Sequence, residues 1–220
     1  VGDGLAAASH PCTAAFFDRP VLAVAPDLLG ATIRHGPVVV RLTEVEAYDG
    51  VDDPASHAAR GPTPRSAVMF GPPGRAYVYL SYGIHWCVNI VCGPPGQACA
   101  VLLRAGEVLA GRDLLRPRWP TLPERDLARG PGRLGRVLAA GPTMTGTSVT
   151  GDGPLTLYRP ALDADPDPDA DPGAVTRTAR ATRIDSGPRI GIRTATERPW
   201  RFWLADDPTV SGPRRPPARS

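Results

Sequence analysis

The stretch "RLTEVEAYDG", Arg41 to Gly50, decides how the chain folds and where its chemistry sits. Glu44, Glu46 and Tyr48 occupy every second position, and Val38, Val40 and Leu42 before them share that parity. In a regular β-strand all six side chains point to one face. That face begins as core and finishes with two carboxylates, which have to justify the cost of leaving water. Strand geometry sets the two acids about 7 Å apart. One reading makes them a structural ion pair with a neighbouring Arg, which is the expectation for Glu44. The other makes one of them a general base in an Arg- and Tyr-rich setting, which is the expectation for Glu46.

A second stretch, "AYVYLSYGIHWCVNIV" (76–91), is dense in Tyr, Val, Ile and Trp and is broken by Tyr82-Gly83. That pattern predicts a β-hairpin. With its turn centred near Ile84, Tyr79 falls opposite Asn89. "QACAVLLRAGEV" (97–108) predicts a further buried strand carrying Arg104 and Glu107. "RIGI" (189–192) and "PWRFWLADDP" (199–208) predict late strands, and a short helix is placed over Pro26–Gly30 because Pro suits a first turn. The segment "DGVDDPASHAARGPTPRSA" (49–67) is a long polar loop, of the kind that is usually functional or disordered. "GPGRLGRVLAAG" (130–141) reads as a Gly-rich turn entering a short helix.

The chain has 220 residues, 42% of them hydrophobic, enough for one substantial core. With 24 Gly and 27 Pro, loose ends are expected around a compact middle. The expected organisation is an arm over 1–15, a folded domain over 16–211 with an acidic low-complexity loop at 163–173, and a basic tail over 212–220. Net charge is +3, and all 25 basic residues are Arg. GC-rich codon usage explains that bias, yet its physical consequence stands. Every phosphate partner is a planar guanidinium, and no side-chain amine exists to form an imine. Between Arg104 and Arg136, eight Arg face four acids, either a solvated basic face or an anion-binding one. No run of 18 apolar residues and no signal-like start is present, so a cytoplasmic protein without a membrane span is expected. Cys12, Cys87, Cys92 and Cys99 fit no common metal spacing and read as structural thiols, so no metal is expected.

Four of the five tyrosines, Tyr48, Tyr77, Tyr79 and Tyr82, fall within 35 residues, beside His57. Clustered strand tyrosines are most often core. Tyr82 differs, because a hairpin tip gives an aromatic little to gain from folding; such a residue suits stacking on bases.

Taken together, "TEVEAYDGVDDPASHAARGPTPRSAVMFGPPGRAYVYLSYGIHWCVNIV" (43–91) resembles the core of the alkyladenine (3-methyladenine) DNA glycosylases, the methylpurine glycosylase family. The lead-in "FFDRP…LLG" and the downstream "LLRA", "GPGRL", "RIGI" and "PWRFW…VS" match in the same order, over roughly 16–211. The resemblance implies that Glu46 activates water, with Arg104 holding that water and the carboxylate's charge. It implies that Tyr48, His57 and Tyr79 sandwich a flipped base, with Asn89 at the pocket floor disfavouring guanine. Tyr82 would fill the gap in the DNA, and Thr63 and Arg65 would lie near its backbone. Ser66 stands where the family has Asn, Ile84 where it has Met with His85 following, and Arg133 where it often has Lys. Ile84 and His85 sit at the wedge and bear on flanking-base preference. The implied protein is a monomeric, cofactor-free enzyme acting on double-stranded DNA with damaged purines, in a mixed α/β (α+β) domain whose curved antiparallel sheet is surrounded by helices. Without lysine, it would leave an abasic site uncut. Two other readings stand beside it: a non-catalytic damaged-DNA-binding protein, and a carbohydrate hydrolase using Glu44 and Glu46 as an acid pair.

Overall fold

The computed structural model describes residues 10–159 and 183–212. The acidic segment 163–173, the first nine residues of the expected arm and all but the first of the tail lie outside them. The frame is a pair of 12-residue antiparallel strands, β2 (Val38–Asp49) and β5 (Cys99–Ala110). Each is long enough to take two partners on its outer edge. Along β2, β1 (Thr32–His35) covers the first part and β9 (Arg201–Leu204) covers Glu44 to Glu46. Along β5, β4 (His85–Cys92) covers one end and the short β6 (Ala128–Arg129) covers Ala105 and Gly106. β3 (Ala76–Ser81), β7 (Thr156–Tyr158) and β8 (Ile184–Gly187) complete nine strands among the described residues, all paired antiparallel. With a few short helices against it, this open sheet makes one α+β domain, as expected.

The expectation of one continuous face along β2 is overturned. Leu42 pairs with Gly106 but Glu44 with Ala105, leaving Thr43 extra; Val45 then pairs with Leu103, leaving Arg104 extra on β5. Each extra residue is a β-bulge, which shifts the side-chain alternation by one. Val40 and Leu42 lie in the main core, and after the bulge so do Val45 and Ala47. Glu44, Glu46 and Tyr48 are thereby turned to the opposite face.

Helix α2 (Val21–Asp27), after α1 (Ala14–Phe17), packs on the core face through Val21, Val24, Ala25 and Leu28. That helix replaces the one expected over Pro26–Gly30. The proline at its start is Pro20, and Pro26 is tolerated in the last turn because the i, i+3, i+4, i+7 apolar stripe anchors the rest. Past α3 (Arg112–Leu115), α4 (Pro131–Val137) forms where expected and lies tight on β4. A Cβ on Gly135 would stand 1.9 Å from the Trp86 carbonyl oxygen, so only Gly permits the approach. Residues 10–15 of the expected loose arm are docked, with Cys12 buried and its N–H donating to Leu157 O at 2.8 Å.

Two further expectations shift. "RIGI" is not a strand; the strand is Ile184–Gly187, and the 189–192 segment turns inward to the site described below. The β3–β4 hairpin is present, but its turn is Tyr82–Gly83–Ile84, centred on Gly83. Tyr82 (φ 49°) and Gly83 (φ 70°) both take left-handed backbone, closing the turn directly after Ser81. The register moves accordingly: Tyr77 faces Asn89 and Tyr79 faces Cys87.

Candidate active site

The face that receives Glu44, Glu46 and Tyr48 also receives Arg104 from the β5 bulge, and the four form one network. Glu44 has no exposed surface. Its Oε1 accepts from Arg104 Nε at 2.8 Å and Arg201 Nε at 2.7 Å, and its Oε2 from the Ser211 N–H at 2.6 Å. Every donor comes from the protein's own scaffold, as the ion-pair reading expects. Glu46, also fully buried, is held differently. Its Oε1 lies 3.1 Å from Arg104 Nη1 and accepts the Ile190 N–H at 2.7 Å; its Oε2 accepts the Tyr48 hydroxyl at 2.9 Å. Burial works against the charge on Arg104, but Glu46 and Glu44 outweigh it and hold its pKa above the usual value. Burial, then the neighbouring Glu46 charge, pushes the Tyr48 phenol well up, so its hydroxyl stays a donor.

Tyr48 and Arg104 are also wall residues of a cleft of about 680 Å³. Glu46 therefore stands one hydrogen bond behind that wall. His57, Tyr79, Asn89 and Arg65 line the same cleft, so the structure brings the expected pocket residues together. The His57 ring meets Tyr79 edge-on, centroids 4.6 Å apart, and its Nδ1 is 2.9 Å from the Tyr77 hydroxyl. Burial, then the nearby Arg65 cation, lowers the His57 pKa, which favours a neutral imidazole. Asn89 is buried and donates its amide N–H to Tyr77 O at 3.0 Å. Cross-strand pairing of Tyr77 with Asn89 places them side by side. The Arg65 guanidinium lies over the Tyr79 ring, 4.8 Å from its centroid.

Of the remaining candidates Tyr82 lines the cleft, and Thr63, Ile84 and His85 do not. Tyr82, at the turn, is 86% exposed and Ile84 is 64% exposed. His85 does not share that freedom. Its ring rests where a Gly132 Cβ would be, 2.6 Å from Cγ, and its Nδ1 is 3.3 Å from Arg136 Nη2. It joins the hairpin base to α4. Thr63 and Ser66 cap each other: the Ser66 N–H donates to Thr63 Oγ1 at 3.1 Å, and the Thr63 N–H to Ser66 Oγ at 3.0 Å. A serine at 66 thus closes the turn that presents Arg65.

Sequence reasoning missed Asp53, Arg189 and the Ile190 amide. Asp53 and Arg189 form a fully buried two-pronged pair, with Arg189 Nη2 to Asp53 Oδ1 at 2.8 Å and Nη1 to Oδ2. Burial raises the Asp53 pKa, but the Arg189 bonds outweigh it and bring it below the usual value. The Arg189 guanidinium also covers the Tyr48 ring, 4.6 Å from its centroid, and donates to Ala47 O at 3.0 Å. A readable signal existed in part: an Asp-Pro within the polar loop, and an Arg opening "RIGI".

Residues 15–208 match the family described as Methylpurine-DNA glycosylase (MPG). The chain belongs to that family. A relative from Frankia casuarinae, named "Putative 3-methyladenine DNA glycosylase", is 66% identical over 91% of this chain and 92% of its own. Relatives with the same printed name from Cutibacterium acnes (51% identical, 89% of this chain, 96% of its own) and Rhodopseudomonas palustris (46%, 90% and 86%) are also similar. Membership in the methylpurine-DNA glycosylases makes this a DNA repair glycosylase, a hydrolase of N-glycosyl bonds with DNA as its substrate. It also bears on the rival acid-pair reading. Glu44 is enclosed by Arg104, Arg201 and Ser211 and meets the cleft wall only through Arg104, whereas Glu46 meets it through Arg104, Tyr48 and Ile190.

Proposed function

We propose that this glycosylase flips an alkylated or deaminated purine out of duplex DNA into the aromatic cleft, where a water activated by Glu46 hydrolyses the N-glycosidic bond. The observation that carries the reading is the way Glu46 is held. A carboxylate offers about four acceptor sites. Arg104, Ile190 and Tyr48 occupy three, which leaves one for a water at the cleft wall. The glycosidic bond breaks with oxocarbenium character. Its electron pair returns to the base: an alkylated, cationic ring is neutralised by it, and a neutral deaminated ring leaves as an anion that takes a proton from solvent. The water oxygen bonds C1′, and its proton passes to Glu46. Glu46 and Arg104 are the catalytic pair in this reading.

Tyr48, His57 and Tyr79 offer π-faces to the extruded base, an attraction of about 0.5–2 kcal/mol for a cation over an aromatic ring. The placement of Arg65 over Tyr79 supports this, since a planar cation already rests on that wall. Asn89 presents its amide beside Tyr77 at the pocket floor, where an added purine 2-amino group has to displace it. Tyr82, exposed at the hairpin turn, fills the space the flipped nucleotide leaves. With no lysine in the 220 residues, no side-chain amine attacks the sugar, and the product is an intact abasic site. The chain acts as a monomer on one lesion at a time, in the cytoplasm.

Release of free 3-methyladenine and 7-methylguanine from methylated DNA tests this. The wild type is expected to release both and Glu46→Gln to release neither above background. Equal release by the two proteins removes Glu46 from the mechanism. Tight lesion binding by the wild type without any release points instead to a damage-binding protein.

A further inference from the structure

The buried charged side chains of the described residues are Glu44, Glu46 and Asp53 against Arg104, Arg189 and Arg201. Three negative charges meet three positive ones, so the buried set is neutral. Within it, the Asp53–Arg189 pair has no place in the hydrolysis. Its position is specific nonetheless. Tyr48 lines the cleft and Arg189 does not, so Arg189 covers the ring face turned away from the cleft. The same guanidinium lies 5.1 Å from the Trp200 ring centroid, and its Nε has no hydrogen-bond partner. It is packed as a flat cation between two rings.

A permanent cation behind Tyr48 opposes any cation stacked in front of it. We infer that Asp53 is the charge-balancing residue of the base slot: by cancelling Arg189, it lets the Tyr48 wall accept positively charged purines as well as neutral ones. The inference rests on the proposed base-flipping reading and adds to it a determinant of substrate class. Other cations face the same region. Arg198 lies 3.8 Å from Asp53 Oδ1 and is partly exposed, and Arg65 and Arg193 line the cleft. Asp53 and Glu46 are the buried acids beside this group; Glu46 is already paired with Arg104, so Asp53 is the one bonded to Arg189, and neutral His57 adds no charge.

A base stacked about 3.5 Å from Tyr48 lies roughly 8 Å from the Arg189 charge. At an effective dielectric near 20, discounted for water at the cleft mouth, removing the balance changes affinity for a cation by about tenfold. In hydrolysis the charge leaves the base for the sugar, so the penalty falls on binding and is relieved in the chemical step.

The test uses the full chain and duplexes with a 2′-fluoro sugar, which slows cleavage, bearing either cationic 7-methylguanine or neutral hypoxanthine. Asp53→Asn is expected to weaken binding of the 7-methylguanine duplex about tenfold more than that of the hypoxanthine duplex. Arg189→Gln is expected to shift the ratio the other way, and the double variant to return it close to wild type. On cleavable DNA, Asp53→Asn is expected to raise KM for 7-methylguanine without lowering kcat. Equal weakening of both duplexes in every variant makes the pair a structural support only and overturns the inference. If Asp53→Asn does not fold, Arg189→Gln and the double variant decide the ratio. A wild type that binds neither lesion, or releases no base, defeats the glycosylase reading itself and is distinguishable from this failure.

Discussion

Replacing Glu44 by Gln separates support from catalysis in the buried network. The substitution keeps volume and one acceptor but removes a charge lying between two guanidiniums. Glu44 Oε1 receives Arg104 Nε (2.8 Å) and Arg201 Nε (2.7 Å), while Oε2 receives the Ser211 N–H (2.6 Å). A Gln that keeps its carbonyl toward the arginines turns its own N–H₂ against the Ser211 N–H. Turned the other way, it sets donors against both arginines. Breaking a buried, hydrogen-bonded charge pair costs about 3–5 kcal/mol. Whole domains are stable by about 5–15 kcal/mol, so roughly a fifth or more of the total is at stake.

Urea unfolding of both proteins measures the loss. With a slope of roughly 2–3 kcal/mol/M, the midpoint falls by about 1–2.5 M. Glu107→Gln is the internal comparison. Its partner Arg41 is equally close, at 2.8 Å, but the two side chains are 40% and 31% exposed, so about 1 kcal/mol or less is expected. Folded Glu44→Gln should still release base above the level of Glu46→Gln, because Arg104 keeps its own contact with Glu46 at 3.1 Å. A Glu44→Gln loss no larger than that of Glu107→Gln, at unchanged slope, would refute the reasoning that a dry charge network holds the site.

Tyr82→Ala should leave thermal stability within about 0.5 kcal/mol, since the ring is 86% exposed, yet weaken lesion-DNA binding by about 1–3 kcal/mol through lost stacking. Unchanged affinity in a DNA titration would remove the tip from the interface. Gly106→Ala should lower stability by about 1–3 kcal/mol, or Tm by roughly 2–12 °C, because the new Cβ would stand 2.4 Å from Val40 Cγ1 and 2.5 Å from Arg41 O. An unchanged melting curve contradicts that crowding. His57 is held below its usual pKa of 6.5 by burial and then by Arg65. Below that value the unfolded chain takes up a proton that the folded chain refuses. Stability therefore falls as pH drops from about 6.5 toward the folded pKa, and His57→Gln should flatten that slope in urea midpoints measured from about pH 7.5 to about pH 5.

Much of the site was legible because local period carries it. Tyr77 and Tyr79 alternate on one strand, Glu46 and Tyr48 on another, and both alternations survive in the structure. Tyr82-Gly83 broke the hairpin where a left-handed turn occurs. What escaped was set by distance along the chain or by a single inserted residue. Asp53 meets Arg189 across 136 positions, and Glu44 meets Ser211 across 167; no window of sequence contains either pair. Pro20 and Pro26 offer two rival helix starts, and only the buried stripe from Val21 to Leu28 decides between them. "RIGI" has the composition of a strand, but the Ile190 N–H goes to Glu46 rather than to a ladder.

The bulges are the most instructive omission, because they answer why acids follow core on one strand. Neither Thr43 nor Arg104 has the composition of a bulge, although Gly106 two residues on hinted that backbones approach closely there. A single bulge on β2 alone would have turned Glu44 away from the core and left β5 in its old phase, setting core residues of one strand beside site residues of the other. The two bulges face each other across the ladder, so both strands change face together and pairing resumes at Val45–Leu103 and Glu46–Leu102. The extra residue on β5 is Arg104 itself. Its insertion at the point of reversal gives one guanidinium reach to both Glu44 and Glu46. The irregularity that defeats a simple reading of the strand is therefore what lets two neighbouring carboxylates take different tasks, one tied into the scaffold and the other held at the edge of the cleft.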